Sequence, residues 1–279
     1  MSLYYHPNTL EEAVFILAQQ GGSILSGGTD FFPALGEKPI TGTVVDISAI
    51  YGLKGIVSTP QEHRIGGLTT WTELIARPLP SCFGALKSAA REIGGIQVQN
   101  RGTVAGNLCN ASPAADSVPA LLTLDAEVEL ISTSGSRRIP LSQFIIGNRK
   151  TVRRPDEILT AVIVPRTLDD ASSVFLKLGA RRYLVISIAM VAVLIQARER
   201  HITAAHVAVG SCSVTAQRLS LLESALVGIP ARPGIGQIVR PEHLATLAPI
   251  DDVRATAEYR MDAALTLITR ALDECVRNC

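Results

Sequence analysis

The sequence predicts a soluble α+β protein of two domains, on three observations. Its 279 residues exceed one ordinary domain of roughly 100 to 200 residues. The first fifty residues alternate strand-like and helical runs around a glycine turn, a βαβ-like start. After a polar stretch at Pro165 to Asp170, three strand-like runs give way to a helical pattern, the order of a separate α+β domain. The boundary is placed near 168, giving domains 1–168, with lobes of about 1–55 and 56–168, and 169–279.

Thr9-Leu-Glu-Glu12 has capping-box spacing. Val14, Leu17 and Ala18 recur with helical period and Gly21-Gly22 supplies the stop, predicting a helix of about three turns. Ser23-Ile24-Leu25 reads as a short strand ending in Ser26-Gly27-Gly28-Thr29-Asp30, and Thr43 to Ile47 as the next strand. Thr70-x-x-Glu73 opens a further helix, and Ala85 to Ile93 another that ends at Gly94-Gly95. Ser112-Pro113 has the pattern of an N-cap with proline at the first helical position, predicting a helix through Leu124. Glu127 to Ser132, Arg138 to Leu141 and Glu157 to Val164 read as strands of an antiparallel sheet, with a turn at Ser134-Gly135. In the second domain the strands are Ser173 to Gly179, Val185 to Gln196 and His201 to Val209, followed by helix to the end.

Composition narrows the function classes. Lysine plus arginine number 26 against 25 aspartates and glutamates, so there is no basic field for a nucleic-acid backbone. At 47% hydrophobic and 18% charged the chain can fill a sizeable core. Its apolar runs, such as Ile186 to Ile195, fall short of the roughly 20 residues of a membrane span. The N-terminus lacks a basic patch followed by an apolar stretch, so a Sec-type signal is not expected and a reducing, cytoplasmic compartment is. Five scattered cysteines without a C-x-x-C pair argue against a disulfide framework and against a zinc or iron–sulfur site. His201 and His206 stand at odd separation in one strand, an arrangement unsuited to sharing a metal.

Two segments have the composition of a binding site. Ser26-Gly27-Gly28-Thr29-Asp30 places glycines and small hydroxyl residues between a strand and a helix start, where backbone N–H groups can gather around an anion. Glycine permits positive φ and a close approach of phosphate to the backbone. Alone, such a turn also suits an ordinary tight loop. The second segment, Gly94 to Asp116, is dense in small and polar residues between apolar helices, and offers Thr103 and Ser112 hydroxyls, Asn107 and Asn110 amides and the Asp116 carboxylate. Those groups suit a polyhydroxylated phosphate ligand, or a well-capped surface loop.

The pair Ser26-Gly-Gly-Thr-Asp30 and Thr103-Val-Ala-Gly-Asn107, about 75 residues apart, together with Ala111-Ser-Pro-Ala-Ala-Asp116, resembles the FAD-binding medium subunit of molybdenum hydroxylases, the group of xanthine dehydrogenase and aerobic carbon monoxide dehydrogenase. The resemblance continues through Pro155 to Leu159 and Phe175 to Ser187 and so covers nearly the whole chain. It implies a two-lobed FAD-binding domain of the vanillyl-alcohol-oxidase/PCMH type followed by a smaller α+β C-terminal domain. It implies that Ser26, Gly27, Gly28, Thr29, Asp30 and Phe31 hold the FAD pyrophosphate, flanked by Leu25. Thr103, Gly106 and Asn107 would wrap the cofactor further along, and Asp116 would receive hydroxyl donors from the ribityl or ribose. Ile93, Leu159 and Lys177 would line the flavin or its tail. Ala105 departs from the family pattern, which has a second glycine there.

Lys177 suits negative charge on a reduced flavin or a phosphate, and equally a solvated strand edge. Tyr183, beside Arg181 and Arg182, suits stacking over the isoalloxazine and control of acceptor entry, or packing at the domain junction. The resemblance implies a redox relay. Electrons would pass from a molybdopterin-binding large subunit through an iron–sulfur small subunit to noncovalent FAD on this chain, and on to NAD or another acceptor. A dimer of heterotrimers is the implied assembly, with the metal ligands on the partner chains. No side chain here is expected to act as acid, base or nucleophile. A scaffold subunit with purely structural glycine loops and a self-contained flavin oxidase remain the alternatives.

Overall fold

The computed structural model describes residues 2–278. In chain order the elements are β1 (Leu3–Tyr5), α1 (Leu10–Gln20), β2 (Ser23–Leu25), α2 (Phe31–Leu35), β3 (Thr43–Asp46), β4 (Ile56–Ser58), β5 (Glu62–Gly66), α3 (Trp71–Ala76), α4 (Gly84–Glu92), α5 (Ile96–Arg101), α6 (Val104–Asn110) and α7 (Ser117–Thr123). Next come β6 (Glu127–Ser132), β7 (Gly135–Pro140), α8 (Leu141–Phe144), β8 (Ile145–Gly147), β9 (Lys150–Thr151) and β10 (Ile158–Pro165). The chain closes with β11 (Ser172–Leu178), β12 (Ala189–Arg198), β13 (His201–Gly210), β14 (Gln217–Arg218), α9 (Ser220–Leu226) and α10 (Ala257–Arg277).

Two compact units emerge, and neither is one continuous stretch of chain. The first comprises 1–77, 95–111 and 127–164, and the second 78–94, 112–126 and 165–279. Segments holding α4 and α7, which precede residue 168, therefore group with the C-terminal strands and helices.

In the first unit β1 and β2 flank β3 in a parallel three-stranded sheet. Helix α1 starts where Thr9 accepts the Glu12 N–H and ends at Gly21, whose φ of +62° suits glycine. The Glu12 carboxylate accepts the Asn8 N–H at 3.3 Å, one residue before the position a reciprocal box requires. Ala13, Val14 and Leu17 of α1 are buried with Val45, Ile47 and Leu68. At α3 the box is complete: Thr70 accepts the Glu73 N–H and the Glu73 carboxylate accepts the Thr70 N–H at 2.7 Å. The second sheet runs β4-β5-β10-β6-β7. Its strand β7 begins at Gly135, three residues before the predicted start, because pairing with β6 extends to Ser132 opposite Gly135. Glu157, just before β10, accepts two hydrogen bonds from Arg137, at 2.6 and 2.8 Å, and the Arg154 N–H at 2.7 Å. Burial opposes its charge, yet these donors hold its carboxyl below the usual range.

In the second unit an antiparallel sheet runs β11-β12-β13-β14. Helix α10 is capped by Thr256, and its buried Ala263, Ala264, Leu267, Ile268, Ala271 and Leu272 follow the 3-4 spacing of one helix face. They form one core with Val191, Val193 and Ile195 of β12. Strand β12 starts at Ala189 rather than Val185, since residues 181–187 form an irregular loop in which Leu184 has φ +51°. The predicted helical run to the C-terminus is interrupted. Among the described residues only α9 and α10 are α-helical there, joined by two 3₁₀ turns and irregular chain.

Helix α7 corrects the expectation that Ser112-Pro113 begins a helix. Ser112 instead closes a turn, its hydroxyl accepting the Ala114 N–H at 3.3 Å, and the helix starts at Ser117 after Asp116. Gly94 to Asp116 contains α5 and α6 where a loop reading was open, and Val104 and Leu108 of α6 are fully buried. Among the described residues no helix is long and apolar enough to cross a membrane.

Candidate functional site

Strand β2 delivers the chain to Ser26 from an anchored position. Leu25 is buried and its carbonyl accepts the Ile47 N–H at 2.9 Å. Over the next five residues the two glycines meet different demands. A Cβ on Gly27 would overlap the carbonyl oxygen of Arg101. Gly28 has φ +76°, and a Cβ there would come 2.8 Å from the Phe32 ring. Among the described residues no acceptor meets the N–H groups of Gly27, Gly28, Thr29 or Asp30. Phe31 and Phe32 follow in α2, ring edge to ring face at 5.3 Å between centroids.

The two glycine motifs, separated in sequence, come together within the first unit. Thr103 caps α6 by accepting the Gly106 N–H at 3.0 Å, and its hydroxyl lies 3.4 Å from the Ser26 hydroxyl. A Cβ on Gly106 would stand 2.8 Å from the Thr103 hydroxyl and 3.3 Å from that of Ser26, so a bare residue is needed where the segments meet. A Cβ on Gly102 would be 3.3 Å from the Thr29 hydroxyl, so Thr29 also lies against this segment. The Asn107 N–H bonds the Thr103 carbonyl at 3.0 Å, fixing it on the first turn of α6. Ala105 is buried, so its methyl is absorbed by packing. Leu159 is a core residue of β10 at an irregularity in the pairing with β6.

Arg101 and Arg149 were not among the residues singled out from sequence. Arg101 contributes a carbonyl, which no side-chain pattern reveals. Arg149 has φ +57°; its guanidinium donates to the Asn110 side chain and its N–H to the Ala111 carbonyl at 2.9 Å, bracing the end of α6. An arginine at positive φ leaves no sequence signal, since glycine and asparagine are the usual occupants.

The second unit holds the other singled-out residues. Lys177 on β11 is no solvated edge residue. Its side chain is 7% exposed and its Nζ donates to Asp116 Oδ2 at 2.6 Å. The Ser187 hydroxyl donates to Oδ1 at 2.5 Å, so both oxygens of Asp116 already carry a donor. Burial raises the Asp116 pKa, Lys177 and Ser187 restrain the rise, and the Glu92 charge adds to it. Ile93 ends α4, ahead of Gly94 at φ +59°. Tyr183 is 67% exposed, with the Arg182 guanidinium carbon 5.2 Å from its ring centroid. Arg181 donates through Nε to the Leu184 carbonyl at 3.2 Å and braces that loop.

Burial pushes the Cys109 thiol up to about 11, although Arg153 opposes it, and the Cys82 thiol up to about 12. Both stay protonated at neutral pH. Among the described residues no group of three or more histidine, cysteine, aspartate or glutamate side chains stands together as a metal site.

A Cβ-free cradle with unaccepted N–H groups, joined to a second glycine segment, fits a pyrophosphate-bearing cofactor. The family described as FAD binding domain in molybdopterin dehydrogenase matches residues 1–167, and that described as CO dehydrogenase flavoprotein C-terminal domain matches 175–275. The chain is 37% identical over 195 residues to the nicotinate dehydrogenase FAD-subunit of Eubacterium barkeri, covering 66% of this chain and 65% of that one. It is 30% identical over 282 residues to the xanthine dehydrogenase FAD-binding subunit of Escherichia coli O157:H7, covering 98% and 95%. A chain of the crystal structure of cyanide-inactivated Cu,Mo-CO dehydrogenase superposes with a TM-score of 0.92 at 25% identity, covering 100% and 99%. Cradle, fold and sequence agree, and the protein belongs to the FAD-binding family of the molybdopterin dehydrogenases, as an oxidoreductase subunit.

Proposed function

We propose that this chain carries noncovalent FAD as the electron-transfer subunit of a molybdenum hydroxylase. In this reading a partner chain with molybdopterin performs substrate oxidation, and a second with iron–sulfur clusters feeds electrons to this one. A dimer of heterotrimers in the cytoplasm and NAD as acceptor extend the same reading. So does a division into sequence modules at 168, supported by family matches that end at 167 and resume at 175.

The observation that carries the proposal is the run of four successive N–H groups, Gly27 to Asp30, with no acceptor among the described residues, in a turn where Gly28 has φ +76°. These groups, with Ser26 and Phe31, would bind the pyrophosphate, while Leu25 anchors the turn. Thr103, Gly106 and Asn107 would continue the contact along the cofactor. Asp116 would accept from a hydroxyl through its remaining lone pairs, positioned by Lys177 and Ser187. Ile93, Leu159, Lys177 and Tyr183 would line the flavin end, with Tyr183 at the solvent side. Bound FAD supplies the redox chemistry, exchanging electrons with the iron–sulfur centres and with the acceptor. The side chains hold and orient, and none is assigned a proton-transfer role.

The test is reconstitution of the isolated chain with FAD. Acid precipitation should release all the flavin. A strong artificial donor should reduce it, and no heteroaromatic or aldehyde substrate should do so until both partner chains are added. Failure to retain flavin would leave the scaffold reading. Turnover of an organic substrate by the single chain would replace the relay with a self-contained oxidase.

A further inference from the structure

Arg260 stands near the start of α10, and its side chain is 4% exposed. The guanidinium donates through Nη1 to the Ile188 carbonyl at 2.6 Å and the Ser211 carbonyl at 3.2 Å, and through Nη2 to Asp252 Oδ1 at 2.7 Å. Its Nε is buried and has no acceptor among the described residues. We infer that Arg260 is the positioning residue of Asp116, on the reading that Asp116 contacts the cofactor. By holding the Ile188 carbonyl it fixes the neighbouring Ser187, whose hydroxyl directs the Asp116 carboxylate toward a ligand hydroxyl.

Asp116 is a buried carboxylate whose pKa burial raises; Lys177 restrains the rise and the Glu92 charge adds to it. Such a group keeps one direction only while its donors hold still. Ser187, the donor to Oδ1 at 2.5 Å, is the last residue of the irregular loop 181–187 and gains no hold from a strand or helix of its own. Order begins one residue later. The Ile188 N–H bonds the Leu178 carbonyl at 2.8 Å, beside Lys177, and the Ile188 carbonyl receives Arg260. Both donors to Asp116 therefore adjoin residues joined at Ile188, and Arg260 secures that junction. The guanidinium is itself anchored. Asp252, its carboxyl held down at about 2 first by the Arg254 N–H and then by Arg260, stays ionised beside it. Ser211 takes a strained φ of +61° and presents its carbonyl to the same group. Arg260 shares the buried face of α10 with Ala263, Ala264 and Leu267, where an apolar residue would serve packing alone and leave no Nε unpaired. An arginine at this place is accounted for by the carbonyls it reaches.

Two readouts on the full chain test this: the Asp116 pKa, followed by carboxyl carbon NMR of aspartate-labelled protein free of FAD, and the Kd for FAD. Arg260→Lys keeps the charge but lacks the planar fork that reaches both carbonyls and Asp252. It should raise the Asp116 pKa by about 1 and weaken FAD about tenfold. Leu272→Ala, at a buried position about three turns further along the same helix, lowers stability and should change neither readout. In a Ser187→Ala background Arg260→Lys should weaken FAD less than about threefold, because the route is already cut. Asp252→Asn loosens the guanidinium at a partly exposed carboxylate and should move both readouts the same way by less, which keeps the test open where Arg260→Lys does not fold. An unchanged Asp116 pKa in the folded variants of Arg260 and Asp252, or an equal rise in Leu272→Ala, would overturn the positioning role. An undiminished tenfold effect in the Ser187→Ala background would overturn it as well. Full FAD affinity in Asp116→Asn would instead remove Asp116 from cofactor contact, and the pKa change in the FAD-free chain would still uphold Arg260 as the residue that positions it.

Discussion

A methyl group at Gly27 would occupy the space of the Arg101 carbonyl, whereas at Gly28 the obstacle is a φ of +76° together with the Phe32 ring. The two substitutions should therefore differ. Gly27→Ala must push apart two backbone segments and is expected to lower both stability and flavin content. Gly28→Val loads strain onto a half-buried turn and should yield a folded, colourless protein with normal circular dichroism. Retention of flavin by Gly28→Val, read from the visible spectrum, would remove this turn as the pyrophosphate site. At Asp116 the expected response involves charge. Lys177→Met leaves a buried carboxylate with the Ser187 hydroxyl as its remaining donor, and such a loss costs about 3–5 kcal/mol. The Asp116 pKa, already raised by burial, should rise further in this variant. A folded-state pKa above the unfolded one means that the unfolded chain binds fewer protons in that window, so stability falls as pH rises through it. Urea unfolding of Lys177→Met should show it regaining stability between pH 7 and pH 5. A flat profile would contradict the buried pair.

Helix α6 depends on the Thr103 cap, and the same hydroxyl lies against Ser26. Thr103→Val should cost about 0.5–2 kcal/mol as a lost cap, with a fall in flavin affinity besides. Thr70→Ala removes the cap of α3 and should match that stability cost without changing flavin affinity, as both measurements on one preparation would show. These caps also mark how far the chain was legible as sequence. Thr70 and Glu73 declare a helix start by spacing alone, and the β6 strand was placed at its observed limits because apolar and polar residues alternate there. The start of α7 was misplaced because Ser112-Pro113 satisfies the local rule while the chain uses it for a turn. Lys177 was left open between two surroundings because burial of a lysine depends on a carboxylate 61 residues away, which no local pattern carries. The junction of the glycine motifs was legible as a pairing of motifs, but the Arg101 carbonyl against Gly27 was not, since a backbone group has no residue signature.

At the scale of the whole molecule, thiol chemistry reports on opening of the fold. The Cys82, Cys109 and Cys212 thiols are held up at about 12, 11 and 11, chiefly by burial. At pH 8 iodoacetamide should leave the peptides bearing the buried Cys82 and Cys212 unlabelled in the native protein and label them in urea. Native labelling of Cys212 would show that its segment opens without global unfolding.

The interleaving of the compact units bears on synthesis in the cell. The segments 78–94 and 112–126 leave the ribosome before the strands and helices beyond 165 with which they group. Their apolar side chains, Leu86 and Leu121 among them, must then wait through the translation of β12 and α10, at about 5–20 residues per second. For several seconds the nascent chain carries a nearly finished first unit with two apolar strips not yet matched, a natural point of engagement for chaperones.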